Sequence, residues 1–415
     1  MKDSATKTGA ISSNIFANIK LSSRLEGVVE SSTLKMAAAT RELSSKGVKV
    51  INFAAGEPDF PVPTTVANAA IEAIRSGFSK YTPVPGIPEL RQRLSQKFFE
   101  DNGLHYPASQ VVVSAGAKQS IFNFLLAVIS PGDEVLIPSP YWVSYPEMVK
   151  IAGGKPVIIY TEQSRGFKLD AAALKAHLTP KTKAILLNSP SNPAGIVYSR
   201  SELCALASAL EGTNVLVCSD EIYEKLVFEG SFCSFAAVSA DAFARTVTVN
   251  GFSKTYSMTG WRLGYAAGPK LILDAMSMLQ GQSTSGANSV TQKAALAALE
   301  IKQAEIDPLV EAFRRRRDRM SSIFAQSSRL SFVAPSGAFY LFLNVEKVLG
   351  TSYNQKEVIS TSDDLSMFLL NHAHVGAVSG SGFGHDKFIR LSFAVSDADV
   401  EAGANKIVEA ISELK

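Results

Sequence analysis

Seven short apolar runs, most rich in β-branched residues and alternating with longer helical patterns, restrict this chain to one class of fold. They are Val111–Ser114, Glu134–Ile137, Lys155–Ile159, Ala184–Leu187, Val215–Cys218, Thr246–Val249 and Leu263–Ala267, with no low-complexity linker or internal repeat between them. Strands that are apolar along their whole length are covered by helices on both faces, so the pattern predicts an α/β architecture around a mainly parallel central sheet.

At 415 residues the chain exceeds one ordinary domain, and 46% hydrophobic against 19% charged residues supply a substantial core. We expect a large domain over residues 66–309. Beyond Leu309 a long Arg-rich helix, strand-like Ala338–Leu343 and Phe388–Phe393, and a terminal helix read as a smaller α+β domain, formed by residues 1–65 and 310–415. A net charge of +3 gives no argument for a nucleic-acid partner. The run Arg314–Arg317 has Glu311 and Asp318 beside it and reads as a solvated helix face. Cys204, Cys218 and Cys233 show neither pairing arithmetic nor metal spacing and read as buried thiols in a reducing compartment. His372 and His374 gather no ligand set, so no metal is expected. The longest apolar candidate, Ile121–Ile129, is too short for a membrane span and contains Asn123. The first twenty residues lack an apolar signal core and any arginine, and read as a frayed tail of a cytoplasmic protein.

Ligands of such sheets bind beyond the carboxyl ends of the strands. Here those ends carry Ala115–Gln119, Asn188–Pro193, Ser219–Tyr223 and Ser253–Lys254. Lys254 lies beside Ser253 and eight residues before Arg262. A lysine amine can form a Schiff base with an aldehyde, while a serine hydroxyl and a guanidinium suit a phosphate dianion. On its own that spacing equally describes solvated surface charges. Asp220 emerges from an apolar strand and needs a cationic partner, such as a protonated pyridine nitrogen; alternatively it caps a helix starting at Glu221. Tyr223, three residues on, reaches a ring oxygen if a turn follows Asp220. The stretch Gly116-Ala117-Lys118 opens a helical pattern whose N–H groups can hold phosphate, but the spacing of a nucleotide-binding loop is missing, which disfavours ATP. Trp142 offers a flat face or is core; Asn192 binds a ring oxygen or shapes a turn.

Taken in order, Gly-Glu-Pro-Asp-Phe (56 to 60), Lys-Tyr-Thr-Pro (80 to 83), Ser-Pro-Tyr-Trp (139 to 142), Asn-Pro (192 to 193), Ser-Asp-Glu-Ile-Tyr (219 to 223), Ser-Lys (253 to 254) and Gly-Trp-Arg-Leu-Gly (260 to 264) form a specific set. From about Leu21 onward the chain resembles the fold-type I enzymes of pyridoxal 5'-phosphate, and among them the class I aminotransferases of the prokaryotic-type aspartate branch. The resemblance implies that Lys254 carries the cofactor as an aldimine and then shuttles the substrate α-proton in a ping-pong reaction. It implies that Asp220 pairs with the pyridine nitrogen and that Tyr223 and Asn192 bind the ring oxygen. Ser253, Arg262 and Gly116-Ala117-Lys118 would hold the phosphate, and Trp142 would stack on the ring. Arg390 would clamp the substrate α-carboxylate with help from the Gly56 backbone, Trp142 and Asn192. Tyr81 would reach the phosphate of the neighbouring subunit, giving a homodimer with shared sites. Lys118 and Thr33 are associated in this branch with a distal carboxylate, which favours aspartate with 2-oxoglutarate and leaves room for prephenate. Ser191 and the pair Gly116-Ala117 depart from the commoner Asn and Gly-Gly. An aromatic-amino-acid aminotransferase, a carbon-sulfur lyase or a cyclopropane-forming synthase on the same scaffold stays open. A non-enzymatic regulator would need an added module, for which about twenty unmatched residues are too few.

Overall fold

The computed structural model describes residues 19–415, so the frayed tail expected at the start falls, up to residue 18, outside the described residues. Its centre is a seven-stranded sheet of β1 (Val111–Ser114), β2 (Glu134–Ser139), β3 (Lys155–Tyr160), β4 (Thr182–Asn188), β5 (Leu216–Asp220), β6 (Thr246–Gly251) and β7 (Gly264–Ala267). The order across the sheet is β1-β7-β6-β5-β4-β2-β3; β7 runs antiparallel to both neighbours and the remaining pairs are parallel. Each of the seven runs named from the sequence became one of these strands, with ends displaced by up to two residues.

The helices that bear on the site or cover the sheet are α1 (Ser32–Ser45), α2 (Ala117–Val128), α3 (Ser144–Ile151), α4 (Arg200–Leu210), α5 (Lys270–Ser283), α6 (Gln303–Phe324) and α7 (Asp397–Glu413). Side chains alternate across a strand, and both faces of this sheet are buried. Val135, Ile137, Leu186, Val247 and Val249 pack under Ile121, Phe124 and Leu125 of α2 and Leu273 and Met276 of α5. On the opposite face Leu136, Ile185, Leu187 and Val217 meet Leu203, Leu206 and Ala207 of α4. Each such buried side chain contributes roughly 1.5–3 kcal/mol, so the strand ends are held rigidly.

A second, antiparallel sheet contains β8 (Ser331–Phe332), β9 (Tyr340–Asn344), β10 (Val378–Ser379) and β11 (Phe388–Ser392) in the order β10-β11-β9-β8. Phe313, Met320 and Phe324 of α6 and Val400 and Ile407 of α7 share one core with Leu341 and Leu391 of this sheet. Arg390 sits mid-strand on β11, opposite Phe342 of β9 and Val378 of β10.

Two expectations need correction. The run Arg314–Arg317 is not a uniformly solvated face: Arg316 and Arg317 are only 7% and 6% exposed. Arg316 pairs with Asp59 and Asp397, while Arg317 reaches Glu229 and the carbonyl of Pro335. Acids from distant segments cover a stripe of the helix that its own sequence marks as polar. Of the three thiols only Cys218 is buried; Cys204 and Cys233 are half-buried, and all three are unpaired. Among the described residues no helix is long and apolar enough to cross a membrane, and no His/Cys/Asp/Glu group has the makings of a metal site.

Candidate active site

The ends of β4 and β5 are stitched together before any ligand group is placed. Asn188 Nδ2 and the Ser189 N–H both donate to the Asp220 carbonyl, at 2.9 and 3.2 Å, and Asn188 Oδ1 accepts from the Asn192 N–H at 2.8 Å. No helix follows Asp220. Residues 222–225 form a turn, and the Asp220 carboxylate accepts from the Ile222 N–H at 3.3 Å. The adjacent acid, Glu221, points the other way and accepts from Ser219, Ser234 and the Phe235 N–H, so only Asp220 enters the site. Its Oδ2 also accepts from the hydroxyl of Tyr145 on α3 at 2.6 Å. Burial nevertheless wins over these hydrogen bonds and pushes Asp220 up to about 6. A carboxyl held this way favours a cation placed against it.

Lys254 lies on the turn after β6, its amine ringed by protein atoms. Nζ donates to the Gly56 carbonyl at 2.5 Å and lies 5.8 and 5.7 Å from the ring centres of Tyr223 and Phe339. Burial lowers its pKa to about 8, opposed by Glu57 and Asp220 and assisted by Arg390 and Arg262. In the cofactor-free chain, labelling of Lys254 by a neutral amine-directed reagent is therefore expected to rise with pH and level off above about 8. Labelling at an ordinary lysine would keep rising toward ~10.4; peptide mapping across pH distinguishes the two, and a midpoint near the ordinary value would contradict the buried-amine geometry.

The N-terminus of α2 forms the opposite wall. Gly116 is its N-cap, with φ 91° and no side-chain cap, which leaves first-turn N–H groups directed outward. A Cβ on Gly116 would collide with the Arg262 guanidinium, which itself donates to the carbonyls of Thr259 and Ala115 at 2.9 and 3.3 Å. Only this first position requires glycine. Ala117 is the first helical residue, which explains physically why a single glycine suffices here. Lys118 Nζ lies 4.8 Å from the Trp142 ring centre, and burial, with Arg262 nearby, lowers its pKa.

Arg390 closes the far end. It is 2% exposed, donates to Asn192 Oδ1 at 3.2 Å and to the Ala54 carbonyl at 2.7 Å, and lies 4.5 and 5.1 Å from the ring centres of Tyr340 and Phe383. Its Nε has no partner, and no carboxylate pairs with it among the described residues. An unpaired buried charge costs several kcal/mol, so this guanidinium is built for an anion that arrives from outside.

These groups share one cavity of about 420 Å³. Thr33, Gly56, Ala117, Lys118, Trp142, Asn192, Asp220, Tyr223, Ser253, Lys254, Arg262 and Arg390 all line it. Gly116 lies behind the wall against Arg262, and Tyr81 is 98% exposed, away from the cavity of its own chain. The residues fit pyridoxal 5'-phosphate: a buried acid for a ring nitrogen, a poised amine for the aldehyde, and an uncapped helix end with Arg262 for the phosphate. Sequence reasoning missed Tyr145, Tyr340, whose hydroxyl is 2.9 Å from that of Tyr223, and Glu57, which lines the cavity. Tyr145 stands three residues after Trp142, a helical spacing that was its only local signal.

The family described as Aminotransferase class I and II matches residues 48–407. A bifunctional aspartate aminotransferase and glutamate/aspartate-prephenate aminotransferase of Petunia hybrida is 43% identical over 419 residues, covering 99% of this chain and 87% of that protein. An aspartate/prephenate aminotransferase of Nitrosomonas europaea is 42% identical, covering 95% and 100%. Among solved structures, the aspartate aminotransferase of Rhizobium meliloti superimposes with a TM-score of 0.92 at 40% identity, over 96% of this chain and all of that one (100%). The Thermus thermophilus aspartate aminotransferase with maleate gives 0.89 at 38%, over 94% and 100%.

Proposed function

Because this chain belongs to the class I and II aminotransferase family, we propose that it transfers an amino group reversibly between L-aspartate and 2-oxoglutarate, forming oxaloacetate and L-glutamate, with prephenate as a further acceptor. The observation that carries this reading is the pair of cationic anchors in one cavity: Arg390, buried without an acid, and Lys118, with Thr33 lining the same cavity. A dicarboxylic substrate presents two anions, and the Thermus relative was solved with maleate, also a dicarboxylate.

Pyridoxal 5'-phosphate is the cofactor of this family; bound here, it supplies the electron sink that makes a substrate Cα–H acidic. The residues of the chain do the rest. Lys254 would hold the cofactor covalently, and its free amine would take the substrate α-proton and return it; in the cofactor-free chain burial lowers that amine to about 8, which suits it to proton transfer near neutral pH. Asp220 would stabilise positive charge on the ring nitrogen, with Tyr145 keeping that carboxylate oriented. Tyr223 and Asn192 would bind the ring oxygen, and Trp142 would stack on the ring. Ser253, Arg262 and the Gly116-Ala117-Lys118 turn would hold the phosphate. Arg390 grips the α-carboxylate as a planar fork. Because both substrates need Arg390 they would occupy the site in turn, and because the amino group would stay with the enzyme after the first oxo acid leaves, ping-pong kinetics are expected.

The same reading makes the enzyme a cytoplasmic homodimer, with Tyr81 of the partner subunit completing the phosphate site; the exposure of Tyr81 outside its own cavity supports this. It also divides the chain into a large unit over residues 66–309 and a smaller one from 1–65 and 310–415. The test is a donor panel ranked by kcat/KM: aspartate, glutamate, tyrosine, and prephenate paired with glutamate. Aspartate should rank above tyrosine, and Thr33→Val should lower kcat/KM for aspartate about tenfold while sparing tyrosine, as expected for one hydrogen bond to a carboxylate. Release of pyruvate or ammonia without an oxo-acid acceptor would overturn the reading in favour of a lyase.

A further inference from the structure

Two carbonyls of one short segment touch the site from behind: Ala54 accepts from Arg390 and Gly56 from Lys254, at 2.7 and 2.5 Å. Residues 53–60 belong to no helix or strand, so repetitive backbone hydrogen bonding does not aim those carbonyls. The segment is instead tied at its two ends. At the first, the Ser392 N–H of β11 donates to the Phe53 carbonyl at 2.8 Å. At the second, Asp59 receives both terminal nitrogens of Arg316, at 2.7 and 2.9 Å, and the Phe60 ring centre lies 5.0 Å from that guanidinium and edge-on to Phe313 at 5.6 Å. Arg316 is itself immobilised, because its Nε donates to Asp397 at the start of α7, at 2.7 Å. A buried fork with all three nitrogens engaged fixes direction in a way a lysine cannot. Neither Arg316 nor Asp59 lines the cavity.

We propose that Arg316 and Asp59 form a clasp that holds the Ala54–Gly56 segment in register with Arg390 and Lys254, making Arg316 a positioning residue for substrate binding. The clasp acts through the two carbonyls: without it the segment swings from one end, Arg390 loses its backbone support, and water reaches the Lys254 amine. The substrate half of this inference rests on the aminotransferase reading above; the lysine half does not.

Asp59→Asn removes the fork's acceptor charge and leaves Arg316 paired with Asp397, whereas Asp397→Asn breaks the other arm and leaves the loop tied. With cofactor bound, Asp59→Asn should raise KM for aspartate and 2-oxoglutarate about tenfold with kcat within about threefold, the pattern of lost uniform binding. Asp397→Asn should leave KM unchanged. In the cofactor-free chain, the groups facing the Lys254 amine are Glu57, Arg390, Arg262 and Asp220, and burial dominates its lowered pKa. Its labelling midpoint in Asp59→Asn should therefore move up by about one pH unit as the amine hydrates. Arg316→Lys should reproduce both effects, and the double variant should be no worse than either single, since the two residues act as one unit. Should Asp59→Asn fail to fold, Arg316→Lys carries the same readouts. An unchanged midpoint, additive effects, or equal KM changes in Asp397→Asn overturn the clasp. A wild-type protein that does not transaminate aspartate refutes the functional reading alone, and the labelling midpoint still decides the clasp.

Discussion

Replacing Lys254 by alanine is expected to reduce turnover on the order of a million-fold, because in the proposed mechanism one side chain serves as both covalent anchor and proton carrier. Cofactor should still be retained, since the groups proposed to hold the phosphate, Arg262 and the uncapped start of α2, are untouched. Single-turnover kinetics with aspartate, together with the cofactor content after desalting, separate the two effects. Among the described residues the other lysine lining the cavity is Lys118, so the substitution also discriminates between them. Lys118 sits over the Trp142 ring with Arg262 nearby, whereas Lys254 faces Asp220, Glu57 and the Gly56 carbonyl. Near-normal transamination by the alanine variant would mean that the anchor is a different lysine.

The second large effect is expected at Asp220. Asp220→Asn keeps the shape and the capacity to accept from Tyr145 but deletes the negative charge. A contact ion pair at ~4 Å is worth about 4 kcal/mol at an effective dielectric near 20, so kcat should fall on the order of a thousand-fold. Stability should move the opposite way in the cofactor-free chain. Burial raises the Asp220 pKa from 3.8 to about 6, so the folded state binds this proton more tightly than the unfolded one. Its contribution is therefore complete below about pH 4 and is lost as pH rises through about 6. Above that window Asp220→Asn should gain up to about 3 kcal/mol over the parent, read from urea unfolding at pH 5 and 7.5. A parent as stable as the variant at both pH values would show that the carboxylate is not strained by burial. A charge that destabilises the empty protein while serving the loaded one is the signature of a functional site.

How far the sequence carries can be argued from individual residues. The central strands were legible because β-branched runs buried on both faces leave a local record, and the strand ends followed directly, which located Gly116, Asn192, Asp220 and Lys254. The choice between a helix cap and a ligand role for Asp220 was not local. It turned on the turn at 222–225 and on Tyr145, whose hydroxyl meets Asp220 from 75 residues away. The arginine run misled for the same reason: the partners of Arg316 lie 257 and 81 residues away, so adjacent acids in the sequence pointed to water while the fold provided Asp59 and Asp397. Ala54 and Gly56 act through carbonyls, which every residue possesses, and no side-chain pattern records that.

Arg390 enters the site on β11, between β9 and β10, after every strand of the central sheet has been placed in the chain. During synthesis, then, a nascent polypeptide that has emerged as far as β7 already holds Gly116, Asp220, Lys254 and Arg262, the groups proposed to face the cofactor. It lacks the buried guanidinium that closes the far end of the cavity. Domains fold as they leave the ribosome, earlier parts first, so the wall built on the central sheet is expected to order before the Arg390 clamp on β11 is added to it.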